Sequence, residues 1–526
     1  MKKPFLILLS VLWILTSLAC TGTTTTATAL TATTTVTTTL PTTVTTVTTT
    51  VVTTTTTTIL DAVAVPTGLS VTANILEFDA VANAQRYQIS IRALGAETSR
   101  EYFVTAGFNL AMLLDYGIYL LRIRTVAVPG YRDSEWSEEI TIDLFDPDTT
   151  NLLEAEDMND YRYVKWLGRT RYDEGSDCRY LYYTASGFEV GFYGTELTAV
   201  LKATNYDNIY KRPFIVILID GEENPLAGRA VSLKAAETTL ALVTGLDEGY
   251  HTVKVLKRSE ALESDVALKS LSTDGRFSAP DETKALKIQF IGDSSLTGYG
   301  NLATSVTTTK STTNSDGLLD FAYLTSYMLD AEFSIVASSG WGISRGWNTP
   351  GGAIDEIENI PNAFDYVAID GTNHVRTDWG KWDQSDFDPD VIVITLGTND
   401  FNAPAYDNMN ETDKAALRER FVADYVAFLV RLNNLFPGVP IIVAYGIMAD
   451  AWRIGSSELA AVAQANAAIG ETAVYALEMP AGGTLGQVFG SDYHPSAGTH
   501  VLAANALTNL IVALTGALKV RDNVDL

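Results

Sequence analysis

The sequence predicts a multidomain protein in which two β-sandwiches precede an α/β domain with a doubly wound parallel sheet. Between about residues 65 and 144, and again between about 152 and 271, short runs of alternating apolar and polar residues are separated by turn residues. This pattern is typical of antiparallel sandwiches. After Lys284, continuous β-branched runs alternate with helical stripes of apolar residues, as expected of parallel strands buried on both faces. A length of 526 residues has room for about three such units.

The first 20 residues have the composition of an export signal. Lys2 and Lys3 precede an apolar run from Phe5 to about Leu18, which is shorter than the roughly 20 residues needed to span a bilayer. The segment "SLAC" resembles a bacterial lipoprotein box, in which Cys20 becomes the lipidated N-terminus. The sequence therefore predicts an extracellular lipoprotein on the cell surface, with full secretion after ordinary signal cleavage as the alternative.

The segment after the export signal is rich in threonine and lacks large apolar side chains. Such a segment cannot offset the entropy lost on ordering, so we expect a linker that holds the folded part away from the membrane. Cys178 is the only other cysteine, and a core position is expected for it. The predicted domains are the signal peptide at 1–20, the Thr-rich linker at 21–60, β domains at 62–146 and 150–280, and the α/β domain at 284–526.

The charge of the chain restricts its partners. Acidic residues outnumber basic ones by 63 to 36, which gives a formal net charge of −27. Because this field repels nucleic acid and anionic lipid, neither is an expected partner, and membrane contact is expected only through the lipid anchor. The four histidines include no His-x-His pair, and no Cys-x-x-Cys occurs, so we expect no metal and no cofactor.

Polar residues stand at the ends of three predicted strands, and a fourth polar segment precedes the last predicted helix. Ser294 ends "KIQFIGDS", Gly340 ends "FSIVASSG" and Asn399 ends "IVITLGTN". The segment "SDYHPSAGTH" supplies Asp492 and His494. Because doubly wound sheets place ligands at the carboxyl ends of their strands, we expect these five residues to form one site.

These residue types fit nucleophilic acyl transfer, which needs a hydroxyl, a base and donors for an oxyanion. Ser294 is the expected nucleophile and His494 the expected base, with Asp492 or a nearby backbone carbonyl orienting the imidazole. The expected oxyanion donors are the backbone N–H groups of Ser294 and Gly340 and the side-chain amide of Asn399. The other histidines have expected structural or solvent-exposed roles: His251 in a strand, His374 in a polar loop and His500 at the surface or in a cap.

The blocks "GDSSLTGYG", "SSGWG", "GTND" and "DYHP" resemble, in this order, the four signature blocks of SGNH, or GDSL-type, hydrolases. Longer segments around the first two blocks, together with the β domain that ends "GYHTVKVLKRSEA", resemble carbohydrate esterase family two. The resemblance implies that a jelly-roll domain precedes the SGNH domain. It also implies removal of O-acetyl groups from polysaccharides such as xylan or glucomannan. In the family the residue before the histidine tends to be tryptophan, and here it is Tyr493.

The first β region resembles a fibronectin type III module in the segments "VPTGLSV", "LEFDAVANAQRYQISI", "YGIYLLRIRTVA" and "SEWSEE". A spacer role is expected for it. Four tryptophans fall in predicted loops near the site, and indole faces stack on sugar rings. Substrate binding is therefore expected for Trp341, Trp347, Trp379 and Trp382, with closure of a hydrophobic rim as the alternative.

The expected partner is an acetylated polysaccharide or oligosaccharide, and the oligomeric state stays open. A GDSL-type lipase, lysophospholipase or thioesterase would share all four blocks but would need a long apolar acyl channel. A surface glycan-binding protein without activity is a second alternative, although the joint presence of Ser294, His494 and Asn399 argues against it.

Overall fold

The structure is a computed structural model that describes residues 61–72, 74–145, 151–160, 163–280, 284–347, 358–401, 406–483 and 488–526. The predicted signal peptide, Cys20 and the whole of the Thr-rich linker lie outside these residues. The chain divides into two compact units. Of the described residues, the smaller unit contains 61–66, 80–88 and 123–137, and the larger unit contains 67–79, 89–122 and 138–526.

The smaller unit contains a polar and aromatic contact between two neighbouring strands. The side-chain carbonyl of Gln88 accepts hydrogen bonds from Nε and Nη2 of Arg124 at 2.9 and 2.7 Å. The guanidinium of Arg124 also lies 4.7 Å from the centre of the Trp136 ring, a distance typical of a cation–π contact. Trp136 is therefore a structural aromatic.

Short strands make up the first β region, as the alternating pattern predicts. They are β1 (Ser70–Thr72), β2 (Ile75–Glu77), β3 (Ala84–Ala93), β4 (Arg100–Val104), β5 (Phe108–Asn109), β6 (Gly117–Ala127) and β7 (Ile140–Leu144). One sheet has the order β1-β2-β5 and the other the order β4-β3-β6-β7. The pairs β1–β2, β2–β5 and β6–β7 are antiparallel. The fibronectin assignment of this region stays a prediction.

The second β region forms two six-stranded antiparallel sheets. Its strands are β8 (Leu152–Glu154), β9 (Val164–Leu167), β10 (Thr170–Asp173), β11 (Cys178–Leu181), β12 (Gly187–Gly194), β13 (Leu197–Ala203), β14 (Phe214–Ile219), β15 (Arg229–Ser232), β16 (Glu237–Val243), β17 (Gly249–Lys257), β18 (Val266–Thr273) and β19 (Arg276–Ser278). One sheet has the order β10-β11-β18-β13-β16 with β8 beside β18, and the other the order β15-β14-β17-β12-β19 with β9 beside β12. Apolar side chains of both sheets, such as Leu201 and Val253, share one core.

The α/β domain contains a five-stranded parallel sheet, which confirms the predicted class. The strands are β20 (Lys287–Gly292), β21 (Glu332–Ala337), β22 (Val391–Thr395), β23 (Ile441–Tyr445) and β24 (Val474–Glu478), in the order β21-β20-β22-β23-β24. The chain runs from β20 to one side of the sheet and then returns to the other. The carboxyl end of β20 is therefore the topological switch point, where such sheets bind ligands.

Helices cover both faces of this sheet. They are α1 (Phe321–Leu329), α2 (Ile360–Ala363), α3 (Glu411–Leu435), α4 (Ala451–Ile469) and α5 (Ala497–Thr515). Ile392 of β22 shares one core with Phe421 of α3 and Ala461 of α4. Val393, the next residue, shares another core with helices α1 and α5. Alternate side chains of one strand thus face opposite helix layers, which explains its continuous apolar sequence.

Candidate active site

Three strand ends bring predicted site residues to one edge of the sheet. In the register of the parallel strands, Gly292 at the end of β20 lies beside Ala337 of β21 and Thr395 of β22. The loops that carry Ser294, Gly340 and Asn399 therefore start at the same level. A cavity of about 700 Å³ opens there, and Ser294, Gly340, Asn399 and His494 all line it.

A short 3₁₀ turn, Ser294–Leu296, fixes the position of Ser294. The carboxylate of Asp293 caps this turn and accepts hydrogen bonds from the backbone N–H and the hydroxyl of Ser295 at 2.9 and 2.8 Å. A Cβ at Gly292 would lie only 2.8 Å from the carbonyl oxygen of Thr395. Glycine at 292 therefore lets the two strand ends approach closely.

His494 and Ser294 are hydrogen-bonded across 200 residues of sequence. The distance from His494 Nε2 to Ser294 Oγ is 2.8 Å. The other ring nitrogen, Nδ1, lies 3.2 Å from the backbone carbonyl oxygen of Ser491. A proton on Nδ1 can be donated to that carbonyl, which leaves Nε2 free to accept the proton of the serine hydroxyl.

The carboxylate of Asp492 has a different partner from the one expected of a catalytic triad. It accepts a hydrogen bond from the hydroxyl of Tyr299 at 3.1 Å, and the Ser491 carbonyl occupies the position beside Nδ1. The prediction that Asp492 orients the imidazole is therefore not supported, and the backbone-carbonyl alternative fits the geometry. Asp492 and Tyr493 both have positive φ, at 50° and 62°, and this turn presents the carbonyl to the ring.

The ring of Tyr299 stacks on the imidazole of His494. The ring centres are 3.9 Å apart and the planes differ by 20°. Burial lowers the pKa of His494 to about 4, although the carbonyls of Ser491 and Asp492 and the nearby carboxylates act in the opposite direction. The imidazole is therefore neutral at pH 7, the state in which it can accept a proton.

The three predicted oxyanion donors lie around the same cavity. Gly340 has φ +85°, a backbone conformation that glycine adopts readily. The amide of Asn399 donates to the Trp341 carbonyl at 2.8 Å and to the Asp293 carboxylate at 3.2 Å. Burial raises the pKa of Asp293 to about 7, so this acceptor is partly protonated near neutral pH.

The four predicted substrate tryptophans occupy different environments. Trp347 lines the cavity and is 44% exposed, whereas Trp341 is buried in the core. Trp379 packs edge-on against Tyr180 and Tyr182 of the second β region. The Trp382 ring lies 5.2 Å from the guanidinium carbon of Arg169. Of the four, Trp347 lines the cavity, whereas the other three lie outside its lining. Substrate binding by Trp341, Trp379 and Trp382 stays a prediction.

Sequence reasoning missed several residues of the cavity. Tyr493 is 63% exposed and lines it, as do Tyr299 and Leu262. The two tyrosines stand inside the quoted blocks "TGYG" and "DYHP", so their place beside the site residues was a usable signal. Leu262 comes from the second β region, and no local pattern indicates that contact.

A Gly-x-Ser-x-Gly pentapeptide occurs at residues 342–346, the pattern of the nucleophile elbow of α/β-hydrolases. Its Ser344 is buried, and its hydroxyl donates to Asp424 at 2.6 Å. The backbone N–H of Ser344 donates to Asp400 at 2.7 Å. With its hydroxyl paired to a carboxylate and no access to solvent, Ser344 is a structural residue.

The remaining histidines are structural or exposed. His251 bonds to Asp220 at 2.9 Å and to the Asp247 carbonyl at 2.8 Å, and the exposed His374 contacts Glu358. His500 is fully buried and accepts a hydrogen bond from the backbone of Phe321, the first residue of α1, at 3.2 Å. Of the two predicted roles of His500, the surface position is therefore wrong, and the capping role fits its contact with the start of α1. Among the described residues no group of three His, Cys, Asp or Glu side chains is arranged to hold a metal ion.

Two family profiles and a solved structure match this part of the chain. The profile described as Carbohydrate esterase 2 N-terminal matches residues 166–280, and the profile described as GDSL-like Lipase/Acylhydrolase matches residues 288–507. A family two carbohydrate esterase from Clostridium thermocellum, solved in complex with cellohexaose, is 27% identical with a TM-score of 0.57. That match covers 68% of this chain and 100% of the other. The second β region and the α/β domain of this chain are thus similar to a carbohydrate esterase of family two.

Curated esterases are similar along the same part of the sequence. The Cellulase/esterase CelE of Acetivibrio thermocellus is 30% identical over 333 residues, which are 62% of this chain and 36% of CelE. An acetylxylan esterase / glucomannan deacetylase of Cellvibrio japonicus is 29% identical over 254 residues, 47% of this chain and 63% of that protein. The chain thus matches about a third of CelE and less than two thirds of this Cellvibrio relative. An acetyl xylan esterase of Butyrivibrio proteoclasticus, 21% identical with a TM-score of 0.59, shares the fold over 69% of this chain and 98% of its own.

Proposed function

We propose that the chain removes O-acetyl groups from a polysaccharide such as xylan or glucomannan by a serine acyl-enzyme mechanism. The observation that carries the proposal is the 2.8 Å hydrogen bond between Ser294 Oγ and His494 Nε2, with Nδ1 held by a carbonyl. This pair supplies the hydroxyl and the oriented base that acyl transfer needs. The similar proteins CelE and the Cellvibrio japonicus deacetylase are named esterases, which supports an ester substrate.

The reaction proceeds in two halves. His494 Nε2 takes the hydroxyl proton while Ser294 Oγ attacks the acetyl carbonyl, and the oxyanion lies against the N–H groups of Ser294 and Gly340. The Asn399 amide joins them by giving up its 3.2 Å hydrogen bond to Asp293. The tetrahedral intermediate collapses, the sugar oxygen leaves with the proton from His494, and the acetyl group stays on Ser294. Water then attacks the acetyl-serine with His494 again as the base, and acetate leaves.

The sugar is expected to contact the aromatic residues at the mouth of the cavity. Trp347 and Tyr493 line it and are 44% and 63% exposed. Aromatic faces of this kind bury the apolar faces of sugar rings. Two relatives are named acetylxylan esterase / glucomannan deacetylase, which supports an acetylated plant polysaccharide as the substrate. The net charge of −27 favours a neutral glycan over an acidic one.

The remaining parts of the chain are proposed to place this activity outside the cell. Residues 1–20 would direct export, Cys20 would carry a lipid, and residues 21–60 would tether the folded part. A fibronectin type III-like spacer at 62–146 and a jelly roll at 150–280 would then precede the catalytic domain at 284–526. Labelling of the expressed chain with a radioactive fatty acid, and its loss in Cys20→Ala, tests the anchor.

Acetate release tests the proposed reaction. The full chain is incubated with acetylated xylan, acetylated glucomannan and chitin, and with 4-nitrophenyl esters of increasing chain length. We expect acetate from at least one plant polysaccharide and preference for the acetyl ester, whereas preference for long acyl chains would indicate a lipase or thioesterase. Ser294→Ala should reduce acetate release by more than about 1,000-fold with an unchanged unfolding temperature. Undiminished release would reject Ser294 as the nucleophile.

A further inference from the structure

One buried carboxylate of the second β region lies beside the loops of the candidate active site. Glu260 follows strand β17, and its side chain is only 2% exposed. The fully buried Lys257 holds the backbone at this point, because its ammonium donates to the carbonyls of Tyr182, Ser259 and Glu260 at 2.6, 3.1 and 2.8 Å. The segment that carries Glu260 is therefore fixed at both its backbone and its side chain.

One oxygen of Glu260 binds the loop that carries an oxyanion donor. Glu260 Oε2 accepts hydrogen bonds from the backbone N–H and the hydroxyl of Ser339 at 3.2 and 2.6 Å. Ser339 directly precedes Gly340 and lines the same cavity as Ser294. Its hydroxyl also lies 3.4 Å from the hydroxyl of Thr297, which donates to the Ser294 carbonyl at 3.1 Å. Glu260 thus links the Gly340 loop to the turn of the nucleophile.

The other oxygen of Glu260 binds a lysine beside the aromatic ring that stacks on the base. Glu260 Oε1 accepts a hydrogen bond from Lys310 at 2.7 Å, and Lys310 also pairs with Glu263. The ammonium of Lys310 lies 4.8 Å from the centre of the Tyr299 ring. Tyr299 in turn stacks on His494 and donates its hydroxyl to Asp492. A chain of contacts therefore runs from Glu260 to the imidazole.

We propose that Glu260, although it belongs to the β domain, is a positioning residue for ester hydrolysis: it fixes the Ser339–Gly340 loop and, through Lys310 and Tyr299, the ring of His494. The inference rests on the proposed function of the Ser294–His494 pair. It gives the β domain a part in catalysis besides any binding of glycan. Small displacements of such supporting groups reduce turnover more than they reduce binding.

Electrostatics adds a second effect of the same carboxylate. Lys310 pairs with the carboxylates of Glu260 and Glu263, and another nearby cation is Lys257, which donates to the Glu260 carbonyl. The charge of Glu260 raises the pKa of His494 against the lowering effect of burial, as do the carboxylate of Asp492 and the carbonyls of Ser491 and Asp492. Removal of the Glu260 charge should therefore shift the titration of His494 to lower pH.

The test compares two isosteric changes in the full chain. Glu260→Gln removes the charge that contacts Ser339 and Lys310. Glu189→Gln is the matched control, because Glu189 is a buried glutamate of the same domain, 3.5 Å from Lys254, that does not line the cavity. With 4-nitrophenyl acetate we expect Glu260→Gln to lower kcat by about tenfold to 100-fold with little change in KM, and to move the acid limb of kcat/KM to lower pH. Glu189→Gln should change neither kcat nor the position of the acid limb.

A milder variant and a second readout keep the test decisive. Ser339→Ala removes one donor to Glu260 and should lower kcat in the same direction, so it serves if Glu260→Gln does not fold. The rate at which a fluorophosphonate probe labels Ser294 reports the nucleophile without any acetylated substrate. If the wild-type chain is labelled but releases no acetate, the proposed substrate is wrong and the labelling ratio still tests Glu260. Wild-type kcat and labelling in folded Glu260→Gln, or an equal loss in Glu189→Gln, would overturn the inference.

Discussion

The imidazole of His494 lies where its charged form is disfavoured. Burial, together with the stacked ring of Tyr299, excludes water, and the pKa falls to about 4. Its hydrogen bond to a neutral carbonyl stabilises an imidazolium less than a carboxylate partner would. A Ser–His pair supported in this way keeps its base deprotonated in mildly acidic water.

If the chain has the proposed esterase activity, this pKa predicts that the activity tolerates acid. The acid limb of kcat/KM reports the ionisation of His494 in the free enzyme, so its midpoint should lie at about 4, well below the usual value of about 6.5. The profile is measured with 4-nitrophenyl acetate from about pH 3 to 8. Circular dichroism at each pH separates titration from unfolding. A midpoint at or above pH 6.5 in the folded protein would contradict the prediction.

The same shift makes the folded state sensitive to acid. Between pH 6.5 and about 4 the unfolded chain binds a proton at His494 that the folded chain does not bind. The folded state is therefore more stable above pH 6.5, and this stability is lost as pH falls from 6.5 to about 4. Asp293 acts with the opposite sign, because burial raises its pKa to about 7. If the pH profile of kcat/KM shows an ionisation near pH 7 that disappears in Asp293→Asn, this ionisation belongs to the Asp293 carboxyl.

Residue spacing alone could not decide which group orients the imidazole. The sequence places Asp492 two positions before His494, a spacing that leaves either the carboxylate or a carbonyl within reach. The choice depends on the left-handed backbone of Asp492 and Tyr493, which turns the Asp492 side chain towards Tyr299. Because non-glycine residues rarely adopt this conformation, no local sequence rule predicts it.

Two loop elements from opposite ends of the catalytic domain meet at Gly300. The carbonyl of Gly300 accepts a hydrogen bond from the backbone of Ser491 at 3.1 Å. Gly300 has φ +55°, and a Cβ there would lie 2.4 Å from the Cβ of Ser491. Since the Ser491 carbonyl holds His494, this contact sets the distance between the serine loop and the base.

Gly300→Ala should therefore separate these elements and lower kcat by about 100-fold or more. Gly470→Ala is a matched control, because Gly470 also has a positive φ, +91°, but nothing lies within 4 Å of its added Cβ. Both variants carry the strain of a positive φ, and Gly300→Ala should lose more stability because its added Cβ also meets Ser491. Kinetics with 4-nitrophenyl acetate and thermal unfolding check the two effects. Equal kcat values in both variants would show that the contact at Gly300 has no role in catalysis.

Elements with strong local patterns were predictable, and contacts between domains were not. The apolar stripe that includes Leu417, Phe421 and Leu432 gave helix α3, and these side chains are buried as expected. Trp379 and Trp382 looked equally suitable for a sugar site. Their partners, including Tyr182 and Arg169, lie about 200 residues earlier in the chain, and a single sequence contains no signal for such a pairing.

At the scale of the whole molecule, the second β region and the α/β domain act as one folded body. The guanidinium of Arg169 is fully buried and donates to the carbonyls of Phe364 and Tyr366 at 2.7 and 2.6 Å. Burial lowers the pKa of Arg169 to about 10, but the side chain stays charged at neutral pH. Separation of the domains would break both hydrogen bonds and expose the rings of Trp379 and Trp382 that pack against the second β region. It should therefore be strongly unfavourable.

Two truncated chains test whether the second β region and the α/β domain fold as one body. A chain of residues 151–526 keeps Arg169, Glu260 and every residue that lines the cavity, so we expect wild-type kcat with 4-nitrophenyl acetate. Its melting temperature should fall somewhat, because the cut removes Asp143, which pairs with Arg276 at 2.6 Å. A chain of residues 284–526 loses Arg169, Glu260 and Leu262 and exposes Trp379 and Trp382, which pack against the second β region.

The shorter chain should therefore unfold at a lower temperature and show no measurable turnover. Kinetics and differential scanning calorimetry of both chains provide the measurement, with the full chain as reference. A single cooperative transition for 151–526 is expected, because the two domains share buried polar contacts that neither can satisfy alone. Two separate transitions, or full activity in 284–526, would show that the β domain is an independent module joined to a self-sufficient esterase.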